Sequence, residues 1–239
     1  MKSSRGPETQ PFPDETLDRF MNGRLQVIQS REGYRFSIDA ILLSEFVTVR
    51  KGDIIFDLGT GCGIIPLILL LTRPAQHVFG IEIQKELASQ AKRNALINGL
   101  ADQFDVITGD IKSLALPRQC ADVVICNPPY RRIKSGRINP DLQKAIARHE
   151  IMISIDDIMR AAKFLLRKKG RLAMIYPGVR LLDVLVSMRR FNLEPKRVQI
   201  QYPGLESEAE LVLIEAYLDG RPGLKITPPL LGQGDWMNR

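Results

Sequence analysis

Three features of this chain predict an α/β fold on a doubly wound, mostly parallel sheet. From Asp53 onward, short apolar runs alternate with segments of helical spacing. The first run opens directly onto a glycine-rich turn. The last two runs are joined by a short polar loop instead of a helix. Wholly apolar runs suit strands covered on both faces, and their alternation with helices suits parallel crossovers. A short polar connection suits an antiparallel pair. The expectation is seven strands ending in an antiparallel hairpin.

Taken in order, residues 1 to about 20 are rich in proline, serine and charge and read as a loose arm. "RLQVIQSREGYRF" is predicted as a small hairpin turning at Glu32-Gly33. "SIDAILLSEFV" sets Ile38, Ile41, Leu42 and Phe46 at helical spacing behind Ser37, a suitable N-cap. Residues 1–50 are thus expected as an arm, hairpin and helix packed on a domain spanning 51–239. In that domain "DIIFDL" is the first strand, "GTGCG" the turn and "IIPLILLLT" the helix. "HVFGIE" is the second strand, followed by a helix from Gln84 to Asn98 that Gly99 stops. "FDVITGD" and "ADVVIC" are the third and fourth strands. A helix from Ile155 to Leu166 is expected to end at "RKKG", before "RLAMIY" as the fifth strand. Arg167, Lys168, Lys169 and Arg171 then read as cations offsetting a helix dipole, as do Arg189 and Arg190. "LEPKRVQIQYP" and "AELVLIEAYL" form the closing antiparallel pair.

Lys and Arg number 34 against 27 Asp and Glu, a net charge of +7 that suits an acidic partner such as RNA and equally a well-solvated basic surface. Cys62, Cys120 and Cys126 form no CxxC pair, which argues against a disulfide framework and a zinc site and for a reducing cytoplasm. His77 and His149 are the only histidines, so a histidine-based hydrolase has few candidates. No basic start precedes an apolar stretch, and the longest apolar run, "IIPLILLL", falls far short of the ~20 residues of a membrane helix. A cytoplasmic protein with no membrane attachment and no metal is the expectation.

The glycine turn carries the first chemical signal. Gly59, Thr60, Gly61 and Gly63 can bring backbone close to a ligand at a helix N-terminus. Dinucleotide enzymes place a similar turn at this point. Asp57, immediately before it, would repel a pyrophosphate and welcome an ammonium. Glu82 ends the second strand, where a carboxylate can accept both hydroxyls of a ribose, and Asp110 ends the third, within reach of an adenine amine. Helix capping, solvation and an Asx turn explain the three acids singly. Jointly they line the crevice at the carboxyl ends of the strands. A ligand with a ribose, an adenine, a zwitterionic tail and no phosphate is S-adenosylmethionine.

"ADVVICNPPY" carries the second signal, since the fourth strand runs straight into Asn127, Pro128, Pro129 and Tyr130. First and fourth strands flank the switch point of such a sheet, which makes this loop and the glycine turn neighbours. An amine conjugated to a ring is a poor nucleophile because its lone pair is delocalised. The Asn127 side-chain oxygen and the Pro128 carbonyl can grip its two N–H bonds and hold the nitrogen toward an electrophile. The prolines fix φ and remove competing donors, and the Tyr130 ring offers a stacking face. A plain strand terminator is the alternative. Beyond it, Arg131, Arg132, Lys134 and Arg137 lie where a phosphate backbone would pass, or on a solvated lid.

"DLGTGCG" with "NPPY" resembles the class I methyltransferases that act on amino nitrogens. "GYRFSIDAILLSEF", "IEIQKELASQAKRNALING", "DVVICNPPYRR" and "GRPGLKITPPLL" are similar to the tRNA N6-adenine methyltransferases that modify the adenine beside the anticodon of valine tRNA. The resemblance runs from about Gln26 to Leu231. It implies a Rossmann-like methyltransferase fold, S-adenosylmethionine as cofactor and tRNA as partner; the oligomeric state is not read from the sequence, a monomer being favoured. It also implies Asp57, Gly59, Thr60, Gly61, Gly63, Glu82, Asp110 and Asn127 as cofactor contacts, and residues 127–130 as the amine site. Ile83 and Ile111 would sandwich the adenine, or belong to the ordinary core. Arg35, Ser37 and Asp39 would border the mouth of the site, with Arg35 toward RNA; an N-cap and a surface acid are the plainer roles. Release-factor glutamine methyltransferases and guanine-N2 rRNA enzymes share this loop chemistry, and an inactive RNA-binding adaptor would keep the fold. The glutamine enzymes usually carry a helical domain ahead of the first strand, where this chain has about fifty residues.

Overall fold

The computed structural model describes residues 9–33, 35–128 and 153–232. A hairpin of β1 (Glu15–Phe20) and β2 (Leu25–Ser30) precedes α1 (Ile38–Phe46). The main body then alternates β3 (Ile54–Leu58), α2 (Ile64–Thr72), β4 (His77–Glu82), α3 (Lys85–Ile97), β5 (Phe104–Thr108) and β6 (Ala121–Cys126). After it come α4 (Ile155–Leu165), β7 (Leu166–Pro177), α5 (Leu181–Arg190), β8 (Leu193–Tyr202) and β9 (Leu211–Leu218). Two short pieces, β10 (Lys225–Ile226) and β11 (Leu230–Leu231), add parallel to β8.

The main sheet runs β10-β8-β9-β7-β6-β3-β4-β5, with β11 also on β8. Its central seven strands match the expected doubly wound sheet, and β9 is antiparallel to both neighbours. The chain winds outward from β3 through β4 to β5, then returns to the other side of β3 with β6. The boundary between β3 and β6 is therefore the switch point, where crossovers leave in opposite directions and a crevice opens.

Two apolar layers cover the sheet. One joins α1, α2 and α3 to Ile55, Val123, Ile125 and Ile175, and the other joins α4 and α5 to Phe56, Val124, Leu172 and Ile214. Helix α2 is apolar all round because it lies between the sheet layer and α1, and residues Ile64 to Leu69 are all buried. Pro66 is tolerated in its first turn, where the backbone N–H would have no helical acceptor. Helix α4 starts on a capping box: Ser154 Oγ accepts the Asp157 N–H at 3.1 Å, and Asp157 accepts the Ser154 N–H at 3.1 Å. Among the described residues no helix is long and apolar enough to cross a membrane.

The N-terminal hairpin departs from expectation. It turns over Met21, Asn22, Gly23 and Arg24, pairing Phe20 with Leu25, and not at Glu32-Gly33. Residues 15–20 are consequently a strand and not an arm. That strand has a weak apolar signature: Leu17 is exposed and the charged Glu15 is buried. Asn22-Gly23 was the sequence signal for the turn, since both adopt the left-handed φ that a tight reversal needs, +54° and +83°. A second departure concerns "RKKG". Helix α4 stops at Leu165 and Leu166 already belongs to β7, so these cations stand on a strand and not on the helix's last turn. Arg167 pairs with Asp122 at 2.9 Å, and Arg171 is buried against Asp53.

Glu15 anchors the hairpin to α3. Arg93 donates to both of its carboxylate oxygens at 2.9 and 2.8 Å, Gln90 Nε2 donates at 2.9 Å, and the Phe12 ring lies 4.0 Å from the guanidinium. Burial by itself would raise the Glu15 pKa, but the hydrogen bonds from Arg93, Phe12 and Gln90 outweigh it and hold the carboxyl below its usual range. Removing one partner of a buried pair leaves an uncompensated charge, at a cost of about 3–5 kcal/mol. Arg93→Ala should therefore lower the urea midpoint markedly at pH 7, with a smaller loss at pH 3.5 where Glu15 is protonated in the unfolded chain. Equal losses at both pH values would show that packing, not the ion pair, holds the hairpin.

Candidate active site

Strand β3 ends at Leu58 and the chain crosses Gly59, Thr60, Gly61, Cys62 and Gly63 before α2 begins. The three glycines have φ of +74°, +57° and +85°. At Gly63 a Cβ would sit 2.7 Å from the Phe104 ring, so both the backbone and the space exclude a side chain. At Gly59 a Cβ would meet nothing within 4 Å, which leaves that backbone open to approach. The N–H groups of Gly59 and Thr60 both donate to the Ile81 carbonyl, at 2.8 and 3.0 Å. That of Gly61 donates to Glu82 Oε2 at 2.9 Å, and that of Gly63 to the Thr60 carbonyl at 2.9 Å. A pyrophosphate cradle needs free N–H groups at such a turn. These four are already engaged, which counts against the dinucleotide alternative.

Asp57 is 1% exposed and lies between Gly80 of β4 and Ile125 of β6. Among the described residues neither of its carboxylate oxygens has a hydrogen-bond partner, and the Thr60 hydroxyl likewise has none. Burial pushes the Asp57 carboxyl up to about 7; the nearby Thr60 hydroxyl opposes the shift without closing a hydrogen bond of acceptable geometry, and the Glu82 charge adds to it. An enclosed, unpaired carboxylate is costly unless something cationic or protic completes it. Asp57 therefore suits the ammonium of an amino-acid tail. Gly80 has the same local logic, since a Cβ there would sit 2.7 Å from Thr60 Cγ2.

Glu82 is 5% exposed at the end of β4. Its oxygens accept the Gly61 N–H and the Gln84 N–H, each at 2.9 Å, which leaves about half of a carboxylate's acceptor sites for hydroxyls. Asp110 caps a short turn of 3₁₀ helix at Ile111–Ser113 and accepts the Lys112 N–H at 2.9 Å, the Asx-type role. Its second oxygen lies 3.6 Å from Lys112 Nζ. Ile83 is 42% exposed, an open apolar side chain beside Glu82, whereas Ile111 packs into the core under α4. Burial pushes the Cys62 thiol up to about 12, which keeps it protonated inside the loop.

Register places the second signal beside the first. Leu58 of β3 opposes Cys126 of β6, and the Cys126 thiol donates to the Leu58 carbonyl at 3.5 Å. Asn127 thus leaves β6 alongside the start of the glycine loop, half-buried, with Pro128 buried behind it. Pro129, Tyr130, Arg131, Arg132, Lys134 and Arg137 lie outside the described residues. Arg35 is engaged by the hairpin, donating to Asp18 at 2.5 Å and to Thr16 Oγ1 and the Ser30 carbonyl at 3.0 Å. With Ser37 it lines a groove of about 450 Å³ between the hairpin, α1 and α2 that reaches Ile64. Ser37 holds the N-cap position of α1 without a side-chain cap bond. Asp39 is buried, not a surface acid.

Residues 50–210 match the family model of a methyltransferase domain. The chain is 32% identical over 189 residues to a tRNA1(Val) (adenine(37)-N6)-methyltransferase of Porphyromonas gingivalis, covering 76% of this chain and 73% of that protein. It is 30% identical over 184 residues to the enzyme of the same name from Tolumonas auensis, covering 73% and 76%. The chain belongs to this methyltransferase family. Among solved structures, a predicted O-methyltransferase from Agrobacterium tumefaciens superposes with a TM-score of 0.64 at 21% identity, over 81% of this chain and 86% of the other. A geranyl diphosphate C-methyltransferase from Streptomyces coelicolor, solved with S-adenosyl-L-homocysteine, gives 0.55 at 13%, over 75% and 74%. Both show the Rossmann-like methyltransferase fold.

In this methyltransferase the structure gathers Asp57, the glycine loop, Glu82 and Asn127 at one switch point. Sequence reasoning did not single out Gly80 or Phe104, which shape the loop from behind. A glycine in the middle of an otherwise apolar strand was the available signal for Gly80.

The raised Asp57 pKa has a checkable sign. The unfolded carboxyl releases its proton near 3.8 and the folded one only near 7, so cofactor-free stability falls as pH rises between those values. Asp57→Asn removes that dependence. Without cofactor the variant should be more stable than the parent at pH 8, by roughly 2–4 kcal/mol. The advantage should shrink toward pH 4. Denaturant midpoints that differ equally at pH 8 and pH 4 would dismiss the unpaired carboxylate as the cause.

Proposed function

We propose that this methyltransferase transfers a methyl group from S-adenosylmethionine to the exocyclic N6 amine of an adenine in tRNA, at the position for which its relatives are named. The observation that carries this reading is the register that sets Leu58 against Cys126, bringing Asn127 beside the glycine loop. An amide oxygen at that place has an amine-gripping role available to it next to a cofactor loop. When bound, the cofactor supplies a methyl carbon made electrophilic by its sulfonium. Asp57 would hold its ammonium, Gly59, Thr60, Gly61 and Gly63 would pass along its tail, and Glu82 would accept its ribose hydroxyls. The exposed Ile83 and, from the core side, Ile111 would flank its adenine, with a remaining lone pair of Asp110 toward the adenine amine.

Asn127 Oδ1 and the Pro128 carbonyl would accept the two N–H bonds of the target amine, keeping its lone pair aimed at the cofactor. No strong base is needed, because the proton leaves after the nitrogen has gained its new bond. Pro129 would hold the backbone and Tyr130 would stack on the base. Arg131, Arg132, Lys134 and Arg137 would meet the phosphate backbone, and Arg35 would join them if RNA displaced Asp18. Residues 51–239 form the catalytic unit in this reading, with 1–50 as its extension. The protein works as a monomer in the cytoplasm, where tRNA is found.

The deciding assay incubates the protein with labelled methyl donor and total RNA, release-factor protein or ribosomal particles, and identifies the product. N6-methyladenosine in a valine tRNA is expected. Label in a glutamine side chain or in guanine would overturn the substrate, and no label in any arm would overturn the activity. Asn127→Ala should lower turnover by at least ~10²-fold, the scale of one lost preorganised contact. Glu82→Ala should weaken cofactor binding in calorimetry, and unchanged affinity would remove the ribose role.

A further inference from the structure

Helix α3 carries a polar stripe on the side that faces the N-terminal hairpin. Asn94 is fully buried there, and its side-chain amide makes three hydrogen bonds. Its Oδ1 accepts the Ile28 N–H at 2.7 Å, and its Nδ2 donates to the Ile28 carbonyl at 3.0 Å and to the Cys62 carbonyl at 2.9 Å. Asn98, one turn later, repeats the first half of this pattern on Gln26: its Oδ1 accepts the N–H at 2.9 Å and its Nδ2 donates to the carbonyl at 2.7 Å. Four helical residues rise about 6.0 Å and two strand residues about 6.8 Å, so amides four apart on a helix can pair with alternate residues of a strand. The two asparagines thus occupy the β2 edge that β1 leaves free.

Asn94 differs from Asn98 in its third bond, which ends in the glycine loop. Cys62 sits between Gly61, whose N–H is held by Glu82, and Gly63, whose N–H is held by Thr60. The loop is therefore tied from the β4 end through Glu82 and from α3 through Asn94. An amide can be flipped in principle, and what prevents it here is β2: the Ile28 N–H needs an oxygen opposite it, which leaves the NH₂ to face the two carbonyls. A single substitution at 94 would leave three buried backbone groups short of a partner.

We propose that Asn94 is a positioning residue for the cofactor loop, holding the Cys62 carbonyl with an amide whose orientation the N-terminal hairpin dictates. This rests on the reading that S-adenosylmethionine binds at that loop. Because the tie acts before the cofactor arrives, its loss appears as weaker binding of the cofactor and leaves the amine-gripping loop as it is. It also gives residues outside the matched methyltransferase domain a part in cofactor affinity.

The test compares Asn94→Ala with Asn98→Ala, since both open the same clasp on β2 and only the first releases the loop. Calorimetry with S-adenosylmethionine on the parent checks the underlying reading first, and no binding there would sink that reading by itself. With the parent binding, Asn94→Ala should raise the cofactor Kd by ~10-fold or more, the scale of one or two unmade buried hydrogen bonds. Asn98→Ala should change it by less than ~2-fold while lowering thermal stability. The KM for cofactor should follow the Kd in Asn94→Ala, with kcat changed far less. Equal shifts in both variants, or none in either, would reduce Asn94 to a clasp for the hairpin. If Asn94→Ala does not fold, Asn94→Ser, which keeps a short donor, carries the same comparison at smaller amplitude. Amide exchange at Gly61 and Gly63 then reports directly whether the loop has loosened.

Discussion

A carboxylate enclosed where β3 meets β4 and β6, with no hydrogen-bond partner among the described residues, is the constraint around which the rest of this site is arranged. Asp57 is closed off from solvent, and among the described residues no cation pairs with it. Its charge is therefore disfavoured there, and its raised proton affinity follows from that enclosure. The neighbouring structure keeps the carboxylate enclosed. Gly80 makes room for Thr60, which closes over Asp57 from the loop side, and Ile125 of β6 closes the other side.

A turn with three left-handed glycines would ordinarily be loose, because glycine has the most conformational freedom to lose. Here the freedom is removed by hydrogen bonds instead of side chains. Ile81, Glu82, Thr60 and Asn94 between them hold five polar groups of the loop. A loop so held would spare a bound ligand the cost of ordering it. Glu82 belongs both to the loop's scaffold and to the crevice, which is why its burial and its available lone pairs both matter.

The N-terminal fifty residues take part in the same scheme. Leu25, Val27, Leu42, Leu43 and Phe46 enter the apolar layer that α2 and α3 share with the sheet. Beyond α1, the Thr48 N–H and hydroxyl donate to Glu215 of β9 at 2.8 and 3.0 Å, tying the segment to the far side of the sheet. The hairpin is thus part of the packed body, and its Ile28 reaches the glycine loop through one side chain.

Local pattern was enough to read the parallel core. Apolar runs at 54–58, 77–82, 104–108 and 121–126, the glycine turn and the stop at Gly99 are all encoded within a few residues of themselves. The acids at strand ends were legible for the same reason, since strand polarity alone puts them on one edge of the sheet. What local pattern misread was whatever depended on a distant partner. Strand β1 is polar in sequence and can be a buried strand because Arg93, far along the chain, neutralises Glu15 and Gln90 hydrogen-bonds to it. "RKKGR" (Arg167 to Arg171) looks like a cationic helix end, yet its Arg171 is drawn into the core by Asp53. Asn94 is one polar residue among several on a helix until the fold sets it between Ile28 and Cys62. Sequence by itself determined the winding of the sheet and the residues at its crevice, because periodicity and strand direction are local. Only the tertiary structure decided which polar groups are buried, and burial needs partners that chain order does not specify.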